Sequence, residues 1–155
     1  MSINFEELWG IVTRQYALGG GSVHGPVHWR AVEKAGLAIA AQCGADDVVV
    51  KLFAIFHDSK RENDDKDPAH ALRGAEYAKA LRKQYIPISD DRFKLLYEAC
   101  AEHTDGLRSA NPTIGTCWDA DRLDLGRVGI VTSTKFMSTA AGKKIVSTRG
   151  ELRNL

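Results

Sequence analysis

The chain has little cysteine, no long apolar run and no surplus of either charge, and each shortage closes off a class of protein. Cys43, Cys100 and Cys117 are its three cysteines. They stand too far apart for a paired-cysteine zinc module, and an odd number argues against the disulfide framework of a small secreted domain, so they are expected as small core residues. No stretch approaches the roughly 18 to 20 apolar residues that a membrane span requires. The opening Met-Ser-Ile-Asn-Phe-Glu-Glu-Leu-Trp has neither the basic start nor the apolar segment of a leader. A soluble cytoplasmic protein with no membrane partner is the expectation. The 21 basic residues nearly cancel the 20 acidic ones, which leaves no basic footprint for a nucleic-acid polymer. Any preference for phosphate has to be local.

Strand-like alternation, internal repeats, low-complexity tracts and linkers are missing as well. What is present is helical periodicity and, at 155 residues with 44% hydrophobic content, enough apolar material for a real core. The expectation is an all-α, single-domain bundle of six to seven helices over residues 1–155. A first helix spans about 3–17 and stops at Gly19-Gly20-Gly21. A second runs from Pro26, which suits a first turn, to Cys43-Gly44. Asp46 caps a third that carries Val48 to Phe56 and ends at His57. Asp67-Pro68 opens a fourth, ending before Ile86-Pro87. Ser89 opens a fifth that ends near His103. A sixth covers about 115–126, and a weaker helical pattern begins near Phe136. Between the third and fourth lies a charged loop, Ser59 to Lys66.

The polar residues that fall on apolar stripes carry the chemistry. His28 is in step with Val32, Ala35 and Ile39; His57 with Val50 and Phe53; His70 with Gly74, Tyr77 and Leu81; His103 with Phe93, Leu96 and Cys100. Asp121 follows Trp118 and precedes Leu125 and Val128 at the same spacings, which nominates it as the inward carboxylate ahead of Asp119 and Asp124. Asp58 follows His57 directly at the end of a buried segment. Imidazoles and carboxylates converging from five helices are costly in low dielectric unless something neutralises them, and a divalent cation is the simplest such species. His24 lies off every stripe, in the Gly-rich segment, as either a substrate contact or a loop residue.

His28, the His57-Asp58 doublet and Asp121 occur in the order of the HD-domain metal-dependent phosphohydrolase superfamily, which the sequence resembles over about residues 24–130. The phrases that carry the resemblance are His-Trp-Arg-Ala-Val, Phe-Ala-Ile-Phe-His-Asp-Ser-Lys-Arg and Asp-Ala-Asp-Arg-Leu-Asp. It implies His28, His57, Asp58 and Asp121 as metal ligands. His70 and His103 resemble two further histidines that some subfamilies use for a second metal, a subset that includes both phosphohydrolases and di-iron oxygenases. The Gly-Tyr-Pro signature of cyclic-di-GMP phosphodiesterases is missing, as are the long catalytic regions of cyclic-nucleotide phosphodiesterases.

A mixed imidazole and carboxylate set suits Mn, Fe, Co, Ni, Zn or Mg. One ion is expected over two, because no further carboxylate on an inward stripe offsets a second dication. His70 and His103 then face the substrate. The site together with the resemblance implies hydrolysis of a small phosphorylated molecule, such as a nucleotide. Arg61 is the first choice for holding phosphate, then Lys60, then Arg122. Glu62 and Asp58 are the candidate proton carriers. The alternatives are a di-iron oxygenase and a non-catalytic metal or nucleotide sensor. The oligomeric state is not written in the sequence.

Overall fold

The computed structural model describes residues 2–154, and among them all regular structure is helical. Seven α-helices follow in order, α1 (Phe5–Gln15), α2 (Pro26–Cys43), α3 (Asp47–Phe56), α4 (His70–Tyr85), α5 (Asp90–Ala101), α6 (Pro112–Arg122) and α7 (Ala140–Arg153), with short 3-10 turns at Leu125–Val128 and Thr134–Phe136. No helix among the described residues is long and apolar enough to cross a membrane. α3 is the centre of the bundle: seven of its ten residues are buried, α2 and α5 flank it, α6 packs on α2, and α4 packs on α5. The core holds Trp29, Phe53 and Phe56 fully buried, while Ile39, Leu123, Met137 and Val146 form a smaller cluster under α7.

Local chemistry sets most of the boundaries. Asp46 accepts from the N–H groups of Val48 and Val49, Ser89 caps α5 through Arg92 N–H, and Gly44 takes the left-handed conformation, φ 72°, that ends α2. Three expectations need correction. α4 begins at His70, not at Pro68, because the Asp67 carboxylate is turned away to Arg73 and to the N–H of Glu62. α6 begins at Pro112 rather than near 115: Asn111 accepts from Thr113 and Ile114, the cap-plus-proline signal in its ordinary form. It also ends at Arg122, so Leu125 and Val128 lie beyond the helix. Cys43 is exposed at the end of α2, whereas Cys100 and Cys117 are core residues.

Candidate metal centre

Helix ends, rather than helix middles, build the site. His28 is the third residue of α2, His57 follows the last residue of α3, His70 opens α4, His103 lies two residues past α5, and Asp121 is the penultimate residue of α6. Trp29 anchors the start of α2: it is fully buried, its indole N–H donates to His24 O, and it packs edge-on to Tyr16. His57 stacks on Phe53 at 4.7 Å.

Two groups of ligand atoms share one carboxylate. In the first, His28 Nε2 lies 3.1 Å from His57 Nε2 and 3.0 Å from Asp121 Oδ1. Asp58 Oδ2 lies 3.4 Å from His28 Nε2 and 3.5 Å from His57 Nε2. In the second, His70 Nε2 and His103 Nε2 stand 3.2 Å apart, at 3.1 and 3.4 Å from Asp58 Oδ1. Each group falls within the reach of a single ion. Ligands about 2.1 Å from a common centre stand roughly 3.0 to 3.4 Å from each other at right-angle or tetrahedral geometry. The donor set therefore fits a divalent cation.

The opposite ring nitrogens agree with this. His57 Nδ1–H donates to Phe53 O at 3.0 Å, His70 Nδ1–H to Asp67 O at 2.6 Å, His103 Nδ1–H to Cys100 O at 2.7 Å, and His28 Nδ1–H to the Asp124 carboxylate at 2.7 Å. A carbonyl only accepts, so the proton sits on Nδ1 in His57, His70 and His103, and all four Nε2 atoms converge on the shared carboxylate. Two Nε2 lone pairs facing each other at 3.1 or 3.2 Å repel unless a proton or a metal lies between them. Without a metal, protons fill part of that role. Burial pulls His28 down, but its bonds to Asp121, Asp124 and Asp58 outweigh this and push its pKa up to about 10. Burial alone would raise Asp58 and Asp121, yet the surrounding histidines hold both carboxyls well below the usual range.

A cavity of about 340 Å³ opens onto both groups, with Asp58, Asp121, His70, His103 and Arg61 on its wall. The Arg61 Nη1 donates to the carbonyls of Asn63 and Asp65, and its Nε lies 3.8 Å from Asp58 Oδ1. His24 also lines this cavity, but its Nε2–H donates to Asp64 O and its Nδ1 accepts from Arg127. Burial, followed by Arg61, lowers its pKa. His24 is thus a neutral wall residue.

Three candidates stand elsewhere or are engaged. Lys60 lies over the Tyr77 ring at 4.2 Å and does not line the cavity. The Glu62 side chain is 71% exposed, 3.7 Å from Arg73, outside the cavity. Arg122 does reach the wall, but its guanidinium donates to the carbonyls of Gly106, Leu107 and Phe136. Lys60 and Glu62 thus stand outside the cavity, whereas Arg122 is on its wall with its guanidinium held by backbone carbonyls. Sequence reasoning also missed two residues. Asp124 orients His28, and Arg127 ties His24 to Asp124 O and Val23 O. A signal for Asp124 was present in its place one turn from Asp121; Arg127 had none. Asp119, two residues before Asp121, faces the other way and accepts from Ser138 N–H, Thr139 N–H and the Thr139 hydroxyl. No protein-family model, curated protein or solved structure matches the chain, and the centre has to be understood from its own atoms.

Proposed function

We propose that the protein is a divalent-metal-dependent phosphohydrolase acting on a small phosphorylated molecule, as its resemblance to the HD-domain superfamily implies. The observation that carries this reading is Arg61. Its Nε–H is buried without a partner, beside Asp58 on the wall of the cavity that reaches both ligand groups. Leaving such a donor unmet costs about 1–3 kcal/mol or more, and a phosphoryl oxygen is the acceptor that a planar guanidinium suits best.

Two ions are favoured here over the one expected from sequence. No further carboxylate joins the second group, but Asp58, already counted in the first, turns Oδ2 to one histidine pair and Oδ1 to the other, so that each group holds a carboxylate oxygen. Bound cations would offset charge developing on phosphorus and acidify water. The chain's own residues do the rest. Asp124 and three backbone carbonyls keep the Nε2 atoms aimed inward, Arg61 orients the phosphoryl group, and Asp58 and Asp121 stay ionised on the wall to hold the cations.

The second ligand group also favours a second reading, the di-iron oxygenase. Metal analysis, followed by phosphate release from a panel of nucleotides and other phosphate esters with Mn, Fe, Co, Ni, Zn or Mg, separates the readings. Metal-dependent phosphate release that a chelator abolishes is expected. Iron-dependent oxygen uptake without phosphate release supports the oxygenase; tight nucleotide binding without turnover supports the sensor.

A further inference from the structure

Two stretches of chain with little apolar burial frame the first ligand group. The turn Leu125–Val128, which follows Asp124, has no buried residue. The segment 19–23 that leads towards α2 is exposed apart from a half-buried Ser22; it starts with Gly19 at φ 71° and has open space around Gly19, Gly20 and Gly21. α2 is preceded by Gly25, which supplies no side-chain cap. Apolar packing fixes neither stretch, so polar contacts have to hold them. The Ser22 hydroxyl meets Asp64 at 2.5 Å and Tyr16 at 2.8 Å, which ties the segment to the charged loop and to the end of α1 but not to the turn.

Arg127 joins the two stretches. Its Nε–H donates to Val23 O at 2.8 Å, its Nη2–H to His24 Nδ1 at 3.1 Å and its Nη1–H to Asp124 O at 2.9 Å. Nη1 also stands 3.9 Å from Asp124 Oδ2, the oxygen that accepts from His28 Nδ1–H at 2.7 Å. Four residues along the chain separate His24 from His28, and three separate Asp124 from Arg127. The two bridges and the two short pieces of chain therefore close a ring. Within it the His28–Asp124 contact cannot swing without stretching the bonds of Arg127. A guanidinium suits this place, because its planar fork sends donors in several fixed directions at once.

We propose that Arg127 is a positioning residue of the metal centre, holding the Asp124 carboxylate on His28 Nδ1 and thereby setting how tightly the His28 ligand group takes its ion. The inference rests on the metal centre of the phosphohydrolase reading and not on hydrolysis. A carboxylate on the far nitrogen of a ligand histidine fixes the direction of the ring and makes the other nitrogen a better donor; its loss weakens metal binding about 10- to 100-fold. The other three histidines need no such brace. The Nδ1–H groups of His57, His70 and His103 donate to carbonyls three or four residues earlier in the chain, whereas the partner of His28 comes from the far end of α6 and has to be held in place. Arg127 itself bonds to no ligand residue and acts through Asp124.

Cobalt(II) titrated into the metal-free full chain tests this, because its visible bands report ligand geometry as well as affinity. Asp124→Ala is expected to weaken one bound ion about 10- to 100-fold and Arg127→Ala about 10-fold, each with shifted bands. Since Arg127 acts through Asp124, the double variant should bind no more than about 2-fold less tightly than Asp124→Ala alone. Arg127→Lys keeps the charge but puts one ammonium in place of the fork, and should still bind cobalt several-fold more weakly than the unaltered chain. Arg92→Ala removes the paired bonds to Asp46 at the opposite end of α3; it should lower Tm and leave cobalt affinity and bands as they are.

Unchanged cobalt affinity and bands in Arg127→Ala overturn the inference. So do losses that multiply in the double variant, full recovery in Arg127→Lys, or an equal loss of affinity in Arg92→Ala. If Arg127→Ala does not fold, Arg127→Lys carries the same comparison with and without Asp124→Ala. The phosphohydrolase reading stands or falls separately. Cobalt binding that follows the expected pattern, without phosphate release from any ester, keeps the brace and defeats the hydrolase; phosphate release with a cobalt affinity indifferent to Arg127 does the reverse. A chain that binds no cobalt defeats both.

Discussion

Each histidine of the centre spends its Nδ1–H on an oxygen, and that single bond decides what the other nitrogen does. The same logic separates Asp119 from Asp121, two residues apart on α6. Asp121 meets His28 and His57, whereas Asp119 ties the start of α7 to α6 through three hydrogen bonds. Asp121→Ala is expected to lower metal affinity about 100-fold or more with a modest change in Tm. Asp119→Ala should keep the metal and lose roughly 2–4 kcal/mol of stability, since it strands buried donors. Metal analysis and thermal melts on the two variants check this, and metal loss confined to Asp119→Ala would reverse the assignment. Arg61→Ala should raise KM about 10-fold while bound metal stays constant if Arg61 holds substrate rather than ion, as proposed. Steady-state kinetics against metal content reads both numbers.

At the scale of elements, close backbone approach is what lets helix ends meet. A Cβ on Gly74 would stand 2.4 Å from Phe56 O and 3.1 Å from His57 O, so α4 lies directly against the end of α3. This contact brings His70, one turn earlier, to Asp58. Gly74→Ala must push α4 outward; a loss of about 1–3 kcal/mol is expected, together with weakened metal binding through His70 and His57. A variant that retains full metal affinity would show the approach to be dispensable to the centre. Gly74 was legible in the sequence only as a member of the His70 stripe, with nothing to mark it as a contact. Stripes and caps predicted α2, α3 and α5 well, because Pro26, Gly44, Asp46 and Ser89 act within a few residues of themselves. α4 and α6 shifted where a residue had a partner far along the chain or a second cap competed. Asp67 was drawn off by Arg73, and Asn111 started α6 a turn earlier. For the site, periodicity placed His28, His57, His70, His103 and Asp121 on inward faces and could go no further. Whether Asp58 serves one histidine pair or two depends on how four helix ends meet, as does the distance of Lys60 and Glu62 from the cavity.

For the whole molecule, metal, protons and stability are linked through His28. Its pKa is raised from 6.5 to about 10 in the folded, metal-free protein. The raised value means that this group contributes stability fully below about pH 6.5, and that the contribution disappears as pH rises through about 10. A cation at Nε2 would take the place of that proton, so metal binding would release it. Asp58 and Asp121 are held well below the ordinary carboxylate range and stay ionised throughout this window, adding no opposing term. Metal affinity should therefore climb by about tenfold per pH unit between pH 6.5 and 8.5, with close to one proton released from His28 for the ion that it binds. Titrations in two buffers of different ionisation enthalpy count the proton, and competition with a chelator gives the slope. The same linkage appears in thermal melts: free ion at 100 times its Kd adds about 2.7 kcal/mol, roughly 5–10 °C for a chain of this length. That gain at a fixed total metal concentration should widen as pH rises, because the metal-free protein weakens while the ion binds more tightly. An affinity that is flat across this range would mean that His28 carries no displaceable proton, and that the ion lies away from its Nε2.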